Sequence, residues 1–383
     1  MDSVHLRNKR QIAAALAALA EAGPADVAGL VDALYAPGAM WRGAHPLNVQ
    51  SGNVAGVWQG LKAAFPDLER RDLIVTGGAY EGRAYVAMVG HYCGTFRANW
   101  LGIPATGAPV YLRYGEVHQV VDGRIVQSNC LWDVLDLIRQ AGFWPLAPSL
   151  GAEGMWPGPI TGDGLVLRET DAGQSAVNLA QTLAMHATLG AYDDLKGEGR
   201  AGLLAMPQRT HWHPKMMWYG PSGIGTTRGL QGFVDYHQLP FRRAFPKRKG
   251  GGQWDEISAM KAQHGGGHYI RIGDGPYSVT GGWPSVFAMH VGPDFLGVPA
   301  TGKAVTMRVM DFYLHDQGLI RENWVPLDVL DLLLQMGVDV LARMEPIFRR
   351  GASCGTASTP MPPCPSPDTP PAPAPMCRQT GCR

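Results

Sequence analysis

The chain contains an internal duplication, and this feature restricts its fold more than any other. The segment Leu101–Gly107 (LGIPATG) recurs as Leu296–Gly302 (LGVPATG), and Asp133–Gly142 recurs as Asp328–Gly337, both at an offset of 195 residues. The register holds without a gap through about 40 residues, which indicates that one domain is present twice. Any proposed fold must therefore suit a single copy and occur two times.

The second copy is longer than the first. Upstream of the shared register, Ala64–Pro66 matches Ala244–Pro246 at an offset of 180 rather than 195. The second copy therefore carries about 15 further residues between these two points. We expect them near the glycine runs Gly250–Gly252 and Gly265–Gly267.

Both copies show the same order of predicted elements, with helix first and strands afterwards. The Pro-Ala-Thr-Gly segment predicts a hairpin turn, because proline presets φ and glycine permits positive φ. The next strand leads to Asp122–Gly123 or Gln317–Gly318, which is a second hairpin signal. A short helix then ends at Gly142 or Gly337. A helix followed by meandering strands indicates an α+β domain.

Composition divides the chain into four segments. We predict a first domain over residues 1–145, a Gly- and Pro-rich connector over 146–173, a second domain over 174–348 and a tail over 349–383. The tail from residue 351 holds nine of the 30 prolines and four of the six cysteines, without an aromatic residue, so we expect disorder. A metal-binding tail is the alternative, although the five-residue offset of Cys377 and Cys382 is not the spacing of a zinc knuckle.

The charge balance excludes some classes of partner. The 33 Lys and Arg residues against 32 Asp and Glu residues leave a net charge of +1, which argues against nucleic acid or an anionic membrane. No run reaches the ~18 apolar residues of a membrane span. The N-terminus has basic residues before the Ala-rich run 13–20, as a signal peptide does, but Ala and Leu favour a helix over residues 8–22. We therefore expect a cytoplasmic protein with reduced thiols.

The motifs of the repeat resemble those of the SnoaL-like polyketide cyclase family. The matching segments in the second copy are Gly297–Gly302, Gly318–Ile320, Glu322–Trp324, Asp328 and Gln335–Gly337. The resemblance covers roughly residues 25–145 and 185–345, counted from the repeat. It implies two tandem cone-shaped barrels, each a curved antiparallel sheet wrapped by helices around an apolar pocket, as in the nuclear-transport-factor-two-like fold.

The resemblance also implies an activity and an assembly. Family members close a polyketide ester by an intramolecular aldol reaction without a cofactor, and they often pair as homodimers through their sheets. A chain with two copies could form that pair internally, or associate further as a homodimer. The function expected is therefore cyclisation or isomerisation of an apolar, polyketide-like ketone or ester. Two alternatives stay open: a non-catalytic small-molecule-binding protein on the same fold, and a hydratase or epoxide hydrolase.

The family's acid/base aspartate matches Asp133 and Asp328. A carboxylate in an apolar pocket suits aldol chemistry, because burial raises its pKa toward neutrality and lets it both accept and return a proton. Each aspartate also opens a helix, so a helix N-cap is an equally good interpretation. We predict that Asp328 is largely buried at the mouth or wall of an apolar pocket, with a pKa above that of a free carboxyl. The second copy is favoured, because the first has Gln127–Asn129 where the second has Glu322–Trp324.

A second carboxylate is predicted on the strand that follows the Thr-Gly turn. Alternate residues of a strand share a face, which groups Asp311 with Met307, Val309 and Tyr313, and Glu116 with its own neighbours. Each carboxylate is either a pocket acid or the partner of an arginine inside the sheet. The residues that we predict to bind substrate are Trp324, Asp311, Tyr313, Trp218, Glu116 and His118.

No cofactor or metal is predicted. His211 and His213 suit a metal pair, with His237 as the third ligand, but the resembling family is metal-free. The run from His264 to His268 contains the His-Gly-Gly-Gly of some esterases, yet the chain has no Gly-x-Ser-x-Gly motif to complete a triad.

Overall fold

Helices and strands occur twice in the same order along the chain. The computed structural model describes residues 2–194, 196–246, 255–265 and 267–354. The elements of the first domain are α1 (Val4–Glu21), α2 (Val27–Leu34), β1 (Tyr35–Gly43), β2 (Val49–Ser51), α3 (Val54–Ala64), β3 (Glu69–Tyr80), β4 (Arg83–Thr95), β5 (Pro109–Val121), β6 (Arg124–Trp132) and α4 (Val134–Gln140).

The second domain repeats this order with additional helices. Its elements are α5 (Ala172–Ala191), α6 (Arg200–Ala205), a 3₁₀ turn (Pro207–Thr210), β7 (Trp212–Tyr219), β8 (Thr226–Arg228), α7 (Gly229–Phe233), a π-helix (Val234–Gln238), α8 (Leu239–Ala244), α9 (Asp255–His264), β9 (Ile270–Asp274), β10 (Tyr277–Met289), β11 (Ala304–Asp316), β12 (Leu319–Trp324), α10 (Val329–Gln335) and α11 (Val340–Cys354). The predicted repeat of strand, hairpin, strand and helix at an offset of 195 is confirmed by β5, β6 and α4 against β11, β12 and α10.

Each domain contains one six-stranded sheet. The strand orders are β2-β1-β6-β5-β4-β3 and β8-β7-β12-β11-β10-β9. Four of the five strand pairs in each sheet are antiparallel, as predicted. The fifth pair is parallel, with β1 beside β6 in the first domain and β7 beside β12 in the second. These strands are joined through the whole domain rather than by a hairpin, and a long connection permits parallel pairing. Both sheets are open at β2 and β3 or at β8 and β9, so each cone is a curved sheet and not a closed barrel.

The two faces of each sheet belong to different cores. The concave faces pack against helices of their own domain; α1, for example, buries Ile12, Leu16 and Leu19 completely. The opposite faces pack domain against domain, with Val89 and Val117 of the first sheet joined to Met310, Phe312 and other residues of the second. The chain therefore forms a sheet-to-sheet pair of its own two copies.

A buried ion pair also links the two domains. Lys9 Nζ lies 2.6 Å from Asp274 Oδ2, and the side chains are only 3% and 4% exposed. The same carboxylate accepts hydrogen bonds from the Gly77 amide at 2.9 Å and from Thr170 Oγ1 at 2.7 Å. Every oxygen of this buried group thus has a partner, as a charge inside a protein requires.

The segment ends differ slightly from the prediction. Helix α5 begins at Ala172, inside the predicted connector, and α11 continues to Cys354, beyond the predicted start of the tail. The remaining tail cysteines, Cys364, Cys377 and Cys382, lie outside the described residues. Within the ranges that are described, no helix is both long and apolar enough to cross a membrane.

Candidate active site

A cavity of about 420 Å³ lies in the second domain, between the concave face of its sheet and the covering helices. This volume is typical of a small-molecule site. Most of its wall is apolar or aromatic, and this part of the lining includes Met185, Trp212, Trp218, Phe233, Phe241, Phe245, Met289 and Met307. The interior therefore suits an apolar molecule with few polar groups.

Asp311 is a carboxylate in this apolar wall. It lies on β11, and Met307, Val309 and Tyr313 share its face and line the same cavity, as strand alternation predicts. Burial raises the pKa of Asp311 to about 6, although hydrogen bonds with Tyr313 and Asn323 lower it in part. The Asn323 contact is long, with Nδ2 at 3.5 Å from Oδ1. Among the described residues, no lysine or arginine lies within ion-pair distance of Asp311.

Tyr313 connects Asp311 to a pair of histidines. The Tyr313 hydroxyl lies 2.7 Å from His186 Nε2, and it also hydrogen-bonds the Asp311 carboxylate. The ring of His186 stacks on that of His268, with centroids 5.6 Å apart and planes 7° from parallel. Burial lowers the pKa of both imidazoles to about 4, so both are neutral at pH 7. Both contacts are satisfied if His186 donates a hydrogen bond from Nε2 to the tyrosine oxygen and the tyrosine hydroxyl donates one to the Asp311 carboxylate.

Aromatic rings form another part of the cavity wall. His237 stacks on Trp218 with centroids 4.0 Å apart, and burial lowers its pKa to about 3. His237 lies in the π-helix Val234–Gln238, a type of turn that often marks functional sites. A neutral imidazole on an indole ring presents a flat surface to the cavity.

The equivalent space in the first domain is filled. Glu116, the counterpart of Asp311, forms an ion pair with Arg70 at 2.8 Å and accepts hydrogen bonds from the Tyr92 hydroxyl at 2.9 Å and the Trp132 indole at 2.8 Å. Burial would raise the pKa of Glu116, but Arg70, His118 and Trp132 outweigh it and hold the pKa well below its usual range. The sequence left open whether this carboxylate is a pocket acid or the partner of an arginine. Glu116 is the partner of an arginine, and Asp311 lies in the wall of the pocket.

Two substitutions and a shorter strand explain why one copy is filled and the other open. Leu327 stands at the position of Trp132, by the 195-residue offset. Val286 pairs with Met307 as Tyr92 pairs with Leu112, so a valine replaces the tyrosine.

The arginine is missing for a related reason. Val75 and Arg271 occupy equivalent positions in the sheet register. Arg70 lies on β3, five residues before Val75, whereas β9 begins at Ile270, one residue before Arg271, and does not extend to the equivalent position.

The predicted pair of aspartates lies elsewhere. Asp133 Oδ1 and Asp328 Oδ1 accept the amides of Asp136 and Asp331, so both residues cap a helix. Their Oδ2 atoms pair with Arg113 at 2.7 Å and Arg308 at 3.0 Å. The prediction that Asp328 lies in the wall of the apolar pocket is wrong, because the chain turns after β12 and places it at the domain interface. Burial nevertheless raises its pKa, as predicted, and raises that of Asp133 to about 6.

The remaining predicted residues divide between the cavity and other sites. Trp218, Asp311 and Tyr313 line the cavity, and substrate binding by them stays a prediction. Trp324 does not reach the cavity, because alternation along β12 turns it toward the domain interface, where its indole donates to the Pro157 carbonyl. His118 is buried in the filled first domain, with Nδ1 2.8 Å from Ser128 Oγ.

Sequence analysis missed His186 and Asn323 as site residues. His186 belongs to no motif, and Asn323 lies within the Glu322–Trp324 motif, which does not show which of its side chains faces the cavity. Their approach to Asp311 depends on how α5 and β12 pack. His213 and His211 were considered as metal ligands, but His213 Nδ1 accepts the Lys215 amide. The described part of the chain has no group of three His, Cys, Asp or Glu side chains placed to hold a metal ion.

Comparison with known proteins supports the family resemblance. Residues 30–141 match the model of the SnoaL-like polyketide cyclases. Solved structures similar to this chain include IdmH from Streptomyces antibioticus, a suggested polyketide cyclase (25% identity, 35% of this chain and 99% of that chain, TM-score 0.29). A suggested SnoaL-like polyketide cyclase from Jannaschia sp. CCS1 is 18% identical over 38% of this chain and 98% of its own (TM-score 0.31).

A third similar structure is a protein from Catenulispora acidiphila with a ketosteroid isomerase-like fold. It is 15% identical over 35% of this chain and 93% of its own, with a TM-score of 0.27. None of the curated proteins matches the chain.

Proposed function

We propose that the second domain is an acid/base enzyme that works without a cofactor, because residues 30–141 match the SnoaL-like polyketide cyclase model and the second domain repeats their architecture. Its substrate is an apolar, polyketide-like ketone or ester, and its reaction is intramolecular aldol cyclisation or isomerisation. The observation that carries this proposal is Asp311, a carboxylate that pairs with no cation of the described residues and lies in the wall of a 420 Å³ apolar cavity.

The proposed reaction begins at a carbon next to a carbonyl group. The Asp311 carboxylate removes a proton from this carbon, and the C–H electron pair forms an enolate. Once Asp311 holds the substrate proton it no longer needs the Tyr313 hydrogen bond, so the Tyr313 hydroxyl can turn and donate to the enolate oxygen while His186 supports the tyrosine through its 2.7 Å contact. In cyclisation, the enolate carbon attacks a second carbonyl and the new alkoxide takes the proton from Asp311. In isomerisation, Asp311 returns the proton to a different carbon.

The environment of Asp311 favours an enzyme over a binding protein. A buried carboxylate without a cation is unfavourable for stability, and a pKa near neutrality is typical of a proton-transfer group. The first domain neutralises the equivalent Glu116 with Arg70. A protein that only bound an apolar ligand would not need one copy to leave its carboxylate without a cation while the other copy pairs it with an arginine.

Hydrogen exchange at carbon tests the proton-transfer step directly. The protein is incubated with 1-tetralone, a bicyclic ketone, in heavy water, and deuterium at the α-carbon is followed by mass spectrometry. Calorimetry on the same samples establishes that the ketone binds. We expect exchange above the buffer rate, and we expect Asp311→Asn to reduce it by about 10²- to 10⁴-fold.

The matched control is Asp316→Asn, the same change at the end of the same strand and outside the cavity lining. It should exchange at the wild-type rate. Ketone that binds but exchanges equally fast in wild type and Asp311→Asn would refute the role of Asp311. Failure of the ketone to bind at all would argue against the cavity as the site of an apolar substrate.

A further inference from the structure

One wall of the cavity is a loop that residues outside the second domain hold in place. The loop Gly220–Gly225 follows β7, and its Ile224 lines the cavity. Gly223 and Gly225 have φ values of 90° and 78°, so the loop requires glycine at both positions. Gly225 also packs so closely on Gly151 of the connector that a Cβ atom would lie 2.7 Å from the Gly151 carbonyl carbon.

Two carboxylates bind the amides of this loop. Asp133 of the first domain accepts the Ser222 amide on Oδ2 at 2.9 Å. Glu153 of the connector accepts the Gly223 amide at 2.6 Å and the Ser222 hydroxyl at 3.1 Å. The Gly151 amide donates to the Ile224 carbonyl at 2.7 Å. The backbone on both sides of Ile224 is therefore fixed from outside the second domain.

The carboxylates are themselves held in the first domain. Arg113 pairs with Asp133 at 2.7 Å, and its side chain is only 4% exposed. Arg139 approaches Glu153 at 3.8 Å. Charge-assisted hydrogen bonds of this kind are stronger than neutral ones, so the support for the loop is rigid.

We propose that Asp133 and Glu153 are positioning residues for the substrate cavity, and that the first domain acts as a fixed support for its Ile224 wall. In the first domain the side chains of Arg70, Tyr92 and Trp132 pack around Glu116, yet this domain sets the shape of the pocket in its neighbour. A test that measures turnover rests on the proposed function. Tests that measure ligand binding or hydrogen exchange of the loop amides do not.

The pseudo-symmetry of the chain supplies an internal control. Asp328 accepts the His45 amide on Oδ2 at 2.9 Å, the mirror of the bond from Ser222 to Asp133. The loop held by Asp328 follows β1 and borders the filled core of the first domain, where the same bond lies beside only a crevice of about 10 Å³ at the domain interface. Replacing either aspartate leaves its arginine with another carboxylate. Arg113 also pairs with Asp136, and Arg308 also pairs with Asp331.

The experiment compares Asp133→Ser with Asp328→Ser in the full chain. Serine caps a helix as well as aspartate does, but its side chain is too short to reach the loop amide or the arginine. We expect Asp133→Ser to raise the calorimetric Kd of 1-tetralone by about five- to tenfold. KM should rise in parallel while kcat stays unchanged, and hydrogen exchange at the Ser222 and Gly223 amides should accelerate.

Asp328→Ser should leave the Kd and these two amides as they are. Equal weakening by both variants would overturn the proposal, since it would show general loosening of the interface, and so would no weakening by either. If Asp133→Ser does not fold, Glu153→Gln gives the second test and should raise the Kd in the same direction. A protein that binds 1-tetralone in this pattern but exchanges no α-hydrogen would refute the proposed function and leave this inference standing.

Discussion

Asp311 and Glu116 occupy equivalent positions but have opposite electrostatic environments. Burial raises the pKa of Asp311 to about 6 from an ordinary value of 3.8, whereas Arg70 and its neighbours hold the pKa of Glu116 below its usual range. The position on the strand is the same, so the difference comes from the side chains that other strands supply. Removing the two charges should therefore change stability in opposite directions.

For Asp311 the raised pKa means that the folded state favours the protonated acid. Its stabilisation is present below pH 3.8 and is lost as the pH rises through 6. Asparagine does not titrate, so the variant escapes this loss. The free energy of unfolding of Asp311→Asn minus that of wild type should therefore increase by up to about 3 kcal/mol from pH 4 to pH 7. Urea denaturation at both pH values measures this, and an equal difference at the two would contradict it.

For Glu116 the lowered pKa means that stabilisation is present above its unfolded pKa and lost only at acid pH. Glu116→Gln leaves Arg70 buried with one fewer carboxylate, and at pH 7 it should lower the free energy of unfolding by about 3 kcal/mol. Denaturation at pH 7 is the measurement. A stabilised Glu116→Gln would show that the buried ion pair does not stabilise the fold.

The pH dependence of turnover should report Asp311. A general base must be ionised, so kcat/KM should fall about tenfold per pH unit below pH 6 and level off above it. His186 and His268, with pKa values of about 4, stay neutral across that range. Asp133 also titrates at about 6, so the profile is repeated in Asp133→Ser, which should keep the acid limb. Loss of the limb in that variant would assign it to Asp133.

At the level of elements, strand length separates the two copies. Strand β3 has 12 residues and supplies Arg70, whereas β9 has five residues and is preceded by the glycine run. The longer strand and the aromatic side chains fill one cone. The shorter strand and the helices α7 to α9 leave the other open.

Leu327→Trp tests this account by placing the side chain of Trp132 into the second domain. The indole should occupy space that substrate needs and weaken 1-tetralone binding at least tenfold, while the fold persists because the first domain already packs a tryptophan at this position. Calorimetry measures the binding and circular dichroism the fold. Leu334→Trp, on the exposed side of α10, is the control and should bind normally.

The sequence predicts the elements better than the site. The 195-residue register indicated the strands, hairpins and helices, since these depend on local turn residues and periodicity. It also placed Met307, Val309, Asp311 and Tyr313 on one face, because strand alternation is a local rule. The position of Asp328 depends on which way the chain turns after β12, and the ion pair of Glu116 depends on Arg70, which lies 46 residues away. Neither was predictable from local pattern.

At the level of the whole molecule, the two sheets hold the chain together as a pair. The buried ion pair of Lys9 and Asp274 crosses this interface. Lys9→Met leaves Asp274 buried without its cation and should lower the free energy of unfolding by about 3 kcal/mol. Arg71→Met, which removes one partner of the exposed pair with Glu69, should change it little. Equal effects in urea denaturation would show that the interface pair is not a major support.

Because the two copies are joined in one chain, each can acquire substitutions that the other does not have. In a pair of identical subunits every substitution arises in both, so a tryptophan that filled one cone would close its twin. Here Trp132 and Leu327 are encoded separately, and selection can act on each without altering the other. The first copy can accumulate changes that favour rigidity. The second copy can keep an acid that no described cation neutralises, whereas a dimer of identical subunits would have this acid in both of its subunits.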